Sequence, residues 1–194
     1  MKYRTILLFG APGSDKGTQG KILGAIPGFV HCSCGEVFRN LSPETPLGKV
    51  FVEYSSRGDL VPDIPTIELW QQYAHGLVAS GRLVPTKDIL VLDGIPRNVA
   101  QAQKLEDFLE VIAVFYLCSA NVDNLVLRLQ RRALKDNRLD DANLEVIRNR
   151  LKNYELETKP VLNYYGNDIV HAINTDATPV QTFAELLQYI VKLG

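Results

Sequence analysis

An α/β fold built on a buried parallel sheet is what this sequence predicts, and three observations predict it. Short apolar runs at 5–9, 89–92, 112–117 and 169–173 carry almost no polar alternation, as expected of strands covered on both faces. Longer stretches of helical period separate them, which gives a βαβ rhythm. The first run leads through a glycine-rich loop into a helical segment, the context that gives a phosphate-loop match its meaning. With 194 residues, 46% hydrophobic and 22% charged, the chain has the balance of a soluble globular protein and can bury a core without disulfide or metal staples.

Taken in order, the strand at 5–9 feeds the loop GAPGSDKGT, and a helix opens from Gly17. Residues 31–57 break the rhythm with short helical pieces around Pro43 and Pro46. The strand at 89–92 is followed by Asp93, a helix is expected over 98–109, and the strand at 112–117 leads to a helix over 121–134. A second break, the polar stretch 135–143, precedes a long helix over 144–165. After the strand at 169–173, Pro179 suits the first turn of a last helix. In an open α/β sheet ligands bind beyond the carboxyl ends of the strands, where both breaks can overhang.

Composition narrows the function. Lys plus Arg is 21 against 22 Asp plus Glu, a formal charge of −1, so no basic surplus points to nucleic acid or an anionic membrane. No apolar run approaches the roughly 20 residues needed to span a bilayer. The apolar start enters a glycine loop rather than a cleavage site, and a cytoplasmic protein is expected. Three cysteines give no disulfide framework, and Cys32 and Cys34 lack the second pair that zinc would need.

Within the loop, Gly10 opens the pattern and Gly13, Ser14, Lys16, Gly17 and Thr18 follow, but Asp15 stands where G-x-x-x-x-G-K-[ST] has its second glycine. Successive backbone amides and a helix N-terminus can hold phosphate oxygens without a basic surface, and Lys16 adds a mobile cation. A plain glycine-rich turn is the bland alternative; the strand, Lys16 and Thr18 together argue against it. Asp15 brings a Cβ to a position that favours positive φ, a conformation Asp tolerates better than most residues. It also brings a carboxylate beside the phosphates, worth roughly 4 kcal/mol for a like-charge contact at ~4 Å and an effective dielectric of ~20.

Five blocks arrive in order, namely GAPGSDKGTQ, CSCGEVFR, GDLVPD, LDGIPRNVAQA, and NRLDDA followed by VIRNRLKNYELETKPVLNYY. They resemble the adenylate kinase family's GxPGxGKGTQ, STGDxxR, GxLVPD, LDGFPRTxxQA, and its lid with the helix after it. The resemblance runs from Ile6 to the C-terminus. It implies a P-loop three-layer sandwich with a five-stranded parallel sheet and a single nucleoside monophosphate kinase domain over 1–194. An AMP-binding insert would lie at about 31–61 and a lid at about 131–142. The lid is the short form, because Arg138 follows Arg132 too closely for the longer, sometimes zinc-binding, insert. The activity implied is reversible Mg²⁺-dependent transfer from ATP to AMP, by a monomer with nucleotides as its only partners and no zinc.

Carried over residue by residue, the resemblance puts ATP on Gly10, Gly13, Ser14, Asp15, Lys16, Gly17 and Thr18, with Arg128 and Arg132. It puts AMP on Cys34, Arg39, Asp59, Leu60, Val61, Gly94, Arg97, Gln101, Arg138 and Arg150. Gln101 would read adenine, and planar arginine forks suit phosphate. Lys16, Arg97, Arg128, Arg132, Arg138 and Arg150 would surround the transferred group. Asp93, a carboxylate at the end of an apolar strand, would hold Mg²⁺ through water, its alternative being a cap for the helix from Asn98. Asp140 and Asp141 resemble a lid pair that meets arginines. The sequence departs from the family at Asp15, at Cys34 for Thr, at Glu36 for Asp and at Ile95 for Phe. Two alternatives stay open: a catalytically impaired nucleotide-binding homologue, and a kinase for another monophosphate.

Overall fold

The computed structural model describes residues 2–136, 138 and 141–193. Its strands are β1 (Tyr3–Phe9), β2 (Phe29–Ser33), β3 (Ile89–Asp93), β4 (Leu109–Cys118) and β5 (Val170–Asn174). They form one parallel sheet in the order β2-β3-β1-β4-β5. Helices α1 (Lys16–Leu23), α2 (Cys34–Arg39), α3 (Pro46–Arg57), α4 (Asp63–Ala79) and α5 (Val99–Leu105) precede β4, and α6 (Val122–Asp136), α7 (Leu144–Asn153), α8 (Val161–Tyr165) and α9 (Pro179–Ile190) follow it.

The missing polar alternation has its cause in two cores. Leu7 and Phe9 of β1 join Phe38, Trp70 and Leu105 under α2, α4 and α5, whereas Ile6 and Leu8 join Leu23 and Leu186 under α1 and α9. Both faces of each central strand are therefore buried, the condition under which a strand reads as a continuous apolar run. The chain goes to one side of β1 for β2 and β3 and to the other for β4 and β5, so the carboxyl ends of β1, β3 and β4 flank a topological switch. Register sets Leu8 level with Asp93 and Ser33 level with Asp93, which brings that carboxylate beside the loop after β1.

Two expected helices are cut by tertiary structure. The one expected over 98–109 ends at Leu105, because Leu109 pairs with Tyr3 and starts β4. The one expected over 144–165 divides into α7, a π-helical turn at Tyr154–Thr158 and α8. Pro160 has no N–H to continue the ladder and stands at that break. At 179 the expected helix start is found, with Thr178 and Gln181 forming a reciprocal cap.

Close packing of α1 on β2 fixes the helix that carries the loop. Gly20 and Gly24, one turn apart, face His31. A Cβ at Gly20 would stand 2.3 Å from His31 Nε2, and one at Gly24 would stand 2.6 Å from His31 Cβ and 3.1 Å from its backbone nitrogen. Burial holds the His31 imidazole below its usual range, against the pull of Asp93 and Glu36 and with the push of Lys21. His31 is accordingly a packing residue. Gly24→Ala should cost about 1–3 kcal/mol by overpacking a rigid backbone. Gly76→Ala, exposed in α4 with nothing within 4 Å of the new methyl, should gain about 0.5–1 kcal/mol. Urea unfolding of both variants checks the pair, and equal effects would dismiss the α1–β2 contact as the cause.

Candidate active site

The loop between β1 and α1 is shaped by its backbone. Gly13 has φ +86°, and a Cβ there would meet the Leu125 carbonyl oxygen at 2.6 Å, so the loop presses against the start of α6 with no side chain between. Asp15 takes φ 63° and ψ 16°, the left-handed conformation, and is the non-glycine residue with positive φ among those described. The first helical bond runs from Gln19 N–H to the Asp15 carbonyl at 3.0 Å, and the amides ahead of it are the unspent donors of a helix start. Lys16 folds back over the loop, its Nζ donating to the carbonyls of Gly10 at 2.7 Å and Ala11 at 3.0 Å.

The loop opens onto a cavity of about 640 Å³. Gly10, Gly13, Ser14, Asp15, Lys16, Gly17 and Thr18 line one side of it, with Asp93, Arg128 and Arg132. Cys34, Arg39, Asp59, Leu60, Val61, Gly94, Arg97, Arg138 and Arg150 line the rest. Gln101 alone of the expected site residues is not on this wall. It is 1% exposed, its Oε1 accepts from Arg97 N–H at 2.7 Å and its Nε2 donates to Asp63 Oδ1 at 2.7 Å.

Carboxylates hold the cations in place. Asp141, fully buried, accepts from Arg132 Nε at 2.6 Å and from Arg150 Nη1; Asp140 lies outside the described residues. Glu36 pairs with Lys21 at 2.7 Å and reaches Arg138 at 3.7 Å, so α2 meets the segment after α6 across the cavity mouth. Asp15 Oδ2 lies 3.7 Å from Arg128 Nη1, and Lys16 turns instead to the loop carbonyls. Arg97 is fixed by its Nε donating to the Gly94 carbonyl at 3.0 Å and by Thr158 Oγ1 donating to its own carbonyl at 2.8 Å. Asn149 of α7 donates to Asp59 Oδ1 at 2.8 Å and Asn153 to the Gly58 carbonyl at 3.0 Å, which ties the loop after α3 to α7.

Three further wall residues carry no sequence signal of their own. Arg131, Tyr154 and Thr158 line the cavity, the last two at the two ends of the π-helical turn. Burial pushes the Cys34 thiol up to about 12, with Arg97 pulling down and Asp93 pushing up, so Cys34 is a neutral wall residue rather than a nucleophile. Asp93 is 8% exposed and accepts from Ser33 Oγ at 3.4 Å. The helix from Val99 is capped by Asn98, whose side chain accepts from Gln101 N–H, which leaves Asp93 free of a capping role. Among the described residues no three His, Cys, Asp or Glu side chains gather as a metal cage. That donor set, one carboxylate beside the loop after β1, fits a Mg²⁺ ion held mainly by nucleotide oxygens and water.

The adenylate kinase family model matches residues 8–170. Adenylate kinase of Flavobacterium psychrophilum is 36% identical over 199 residues, covering 96% of this chain and 97% of that one. Adenylate kinase of a Cyanothece species is 38% identical over 192 residues, covering 96% and 94%. That of Bacteroides thetaiotaomicron is 32% identical over 194 residues, covering 97% and 98%.

Burial pushes Lys16 down from the usual lysine range to about 8, with Asp93 opposing and Arg132, Arg97 and Arg150 adding to the push. Its charge is disfavoured by folding, so the penalty is full below pH about 8 and is relieved as pH rises toward the ordinary lysine range. Acetylation of the ligand-free protein, followed residue by residue by mass spectrometry, should therefore show a Lys16 midpoint at about 8, and saturating ATP should suppress the reaction. A midpoint shared with surface lysines would overturn the burial argument. Asp141→Ala, which strips a buried carboxylate from two partly exposed guanidiniums, should lower stability by about 2 kcal/mol in urea titrations, less than a fully buried pair would lose.

Proposed function

The chain belongs to the adenylate kinase family and is a phosphotransferase; we propose that it moves the γ-phosphoryl group of ATP to AMP, reversibly and with Mg²⁺, to give ADP on both sides. The observation that carries this reading is the convergence, on one cavity, of a phosphate loop with Lys16 and of arginines from α2, β3's following loop, α6 and α7. Phosphoryl transfer between two polyanions asks little covalent chemistry of a protein; it asks that positive groups meet the transferred group in line and that water be kept out.

In this reading the loop amides and Lys16 hold the donor's phosphates, with Arg128 and Arg132 beside them. Phosphates entering the loop replace the Gly10 and Ala11 carbonyls as acceptors for Lys16 and favour its charged form. Arg39 and Arg97 grip the acceptor's phosphate, and Arg138 and Arg150 close on the transferred group from the far side. Cys34, Leu60 and Val61 give the acceptor base an apolar bed, Asp59 and Gly94 border it, and Gln101 acts on it through the Arg97 backbone. Asp93 would hold Mg²⁺ through its water shell; bound there, Mg²⁺ neutralises phosphate charge. The chain works as a monomer on nucleotides alone, in the cytoplasm; among the described residues no helix is long and apolar enough to cross a membrane.

ADP formation from ATP and Mg²⁺ should be confined to AMP when each nucleoside monophosphate is offered in turn, and equal use of a pyrimidine monophosphate would transfer the reading to another acceptor. Arg97→Ala should raise the KM for AMP about 10- to 100-fold, the worth of a lost charge-assisted bond, with the KM for ATP nearly unchanged. Unchanged AMP kinetics would remove Arg97 from the acceptor site.

A further inference from the structure

The left-handed residue of the phosphate loop carries a charge that the loop itself does not use. Asp15 sits at the N-cap of α1, where an aspartate ordinarily spends its carboxylate on the second or third helical amide, yet it makes no side-chain cap bond. Its Oδ2 lies 3.7 Å from Arg128 Nη1, and both side chains are about a quarter exposed. Arg128 is anchored by Nη2, which donates to the Thr175 carbonyl at 2.6 Å, while Nη1 is buried without a hydrogen-bond partner. Asp176, the other acid near this guanidinium, is committed to Ser119 Oγ and Ala120 N–H. The buried Nη1 of Arg128 thus faces the Asp15 carboxylate, which makes no cap bond of its own.

We propose that Asp15 sets this chain's affinity for the phosphoryl donor by competing with the donor's phosphates for Arg128. The proposal rests on the reading that Arg128 meets those phosphates. The pair is partly solvated and therefore weak, so a polyphosphate displaces it. The displaced carboxylate then remains in the loop as a like charge, with its former partner taken. Donor binding bears this cost, and acceptor binding on the far wall does not. Asp15 contributes by position: it touches the arginine, and the arginine touches the nucleotide.

Asp15→Asn tests this, because Asn keeps the size and tolerates the left-handed conformation while losing the charge; Asp15→Gly is the second variant. Calorimetric titration with MgATP reads binding without turnover, and coupled kinetics read the KM for ATP and AMP. Both variants should bind ATP about tenfold more tightly, a little more than a fully exposed ion pair is worth, because the donor no longer has to break the Asp15–Arg128 pair, with the KM for AMP and the melting temperature unmoved. In an Arg128→Gln background, which keeps an acceptor-facing amide for Thr175, the Asn gain should fall below about threefold. Unchanged or weaker ATP binding in Asp15→Asn overturns the proposal, and so does a gain that persists in full without Arg128, which would make the carboxylate a direct repeller only. Failure of the kinase reading looks different: ATP binding that gains as expected, with no ADP made from any monophosphate.

Discussion

Seven arginines and Lys16 line one cavity in a chain whose formal charge is −1, and without a bound anion they repel one another. At an effective dielectric near 20 a like-charge pair at ~4 Å costs roughly 4 kcal/mol, so the cluster survives only where carboxylates are set among its members. Asp141 is buried between Arg132 and Arg150, Glu36 stands between Lys21 and Arg138, Asp15 faces Arg128, and Asp93 is the charge that opposes the loss of the Lys16 proton. Each acid holds its cation in reach of the cavity without filling it. The positive charge of the site and the geometry that holds it come from the same few pairs.

Those pairs also join parts of the chain that lie far apart in sequence. Glu36 lies in α2, Arg138 in the segment after α6, and the asparagines of α7 hold the loop around Gly58 and Asp59. Thr158 in the π-helical turn holds the Arg97 carbonyl, so the long helical arm that carries Arg150 is joined to the loop that carries Arg97.

How much of this the sequence disclosed follows from the range of the forces involved. Four of the five strands and the loop were legible because burial on two faces leaves an unbroken apolar run and a phosphate loop needs particular residues at fixed spacing, whereas β2, at the sheet edge with one buried residue, left no such run; Leu7 and Ile6 lie side by side in sequence and in opposite cores. Asp141 offered a weaker signal, since a carboxylate in a polar stretch is ordinary until two arginines from different helices close on it. Gln101 shows the opposite limit. The resemblance makes it a reader of the acceptor base, and no sequence pattern shows that Asp63, remote in sequence, and the Arg97 amide bond to the two ends of its side chain. The helix end at Leu105 and the π-helical turn were hidden because strand pairing with Tyr3 and local wall packing, not periodicity, decide them.

Asp15 separates two demands that a glycine would merge. The loop requires a left-handed residue at this point, and the observed φ of 63° shows the requirement met; among residues with a side chain, Asp and Asn pay least for it, because a short polar group can be solvated or paired locally. Shape therefore survives the substitution. Charge does not, and the fold answers by leaving Arg128 Nη1 without a hydrogen bond so that it faces the carboxylate. A loop whose form is kept and whose potential is altered still admits phosphate, but it does so in competition with its own side chain, and the strength of that competition depends on how firmly the Thr175 carbonyl keeps Arg128 at hand.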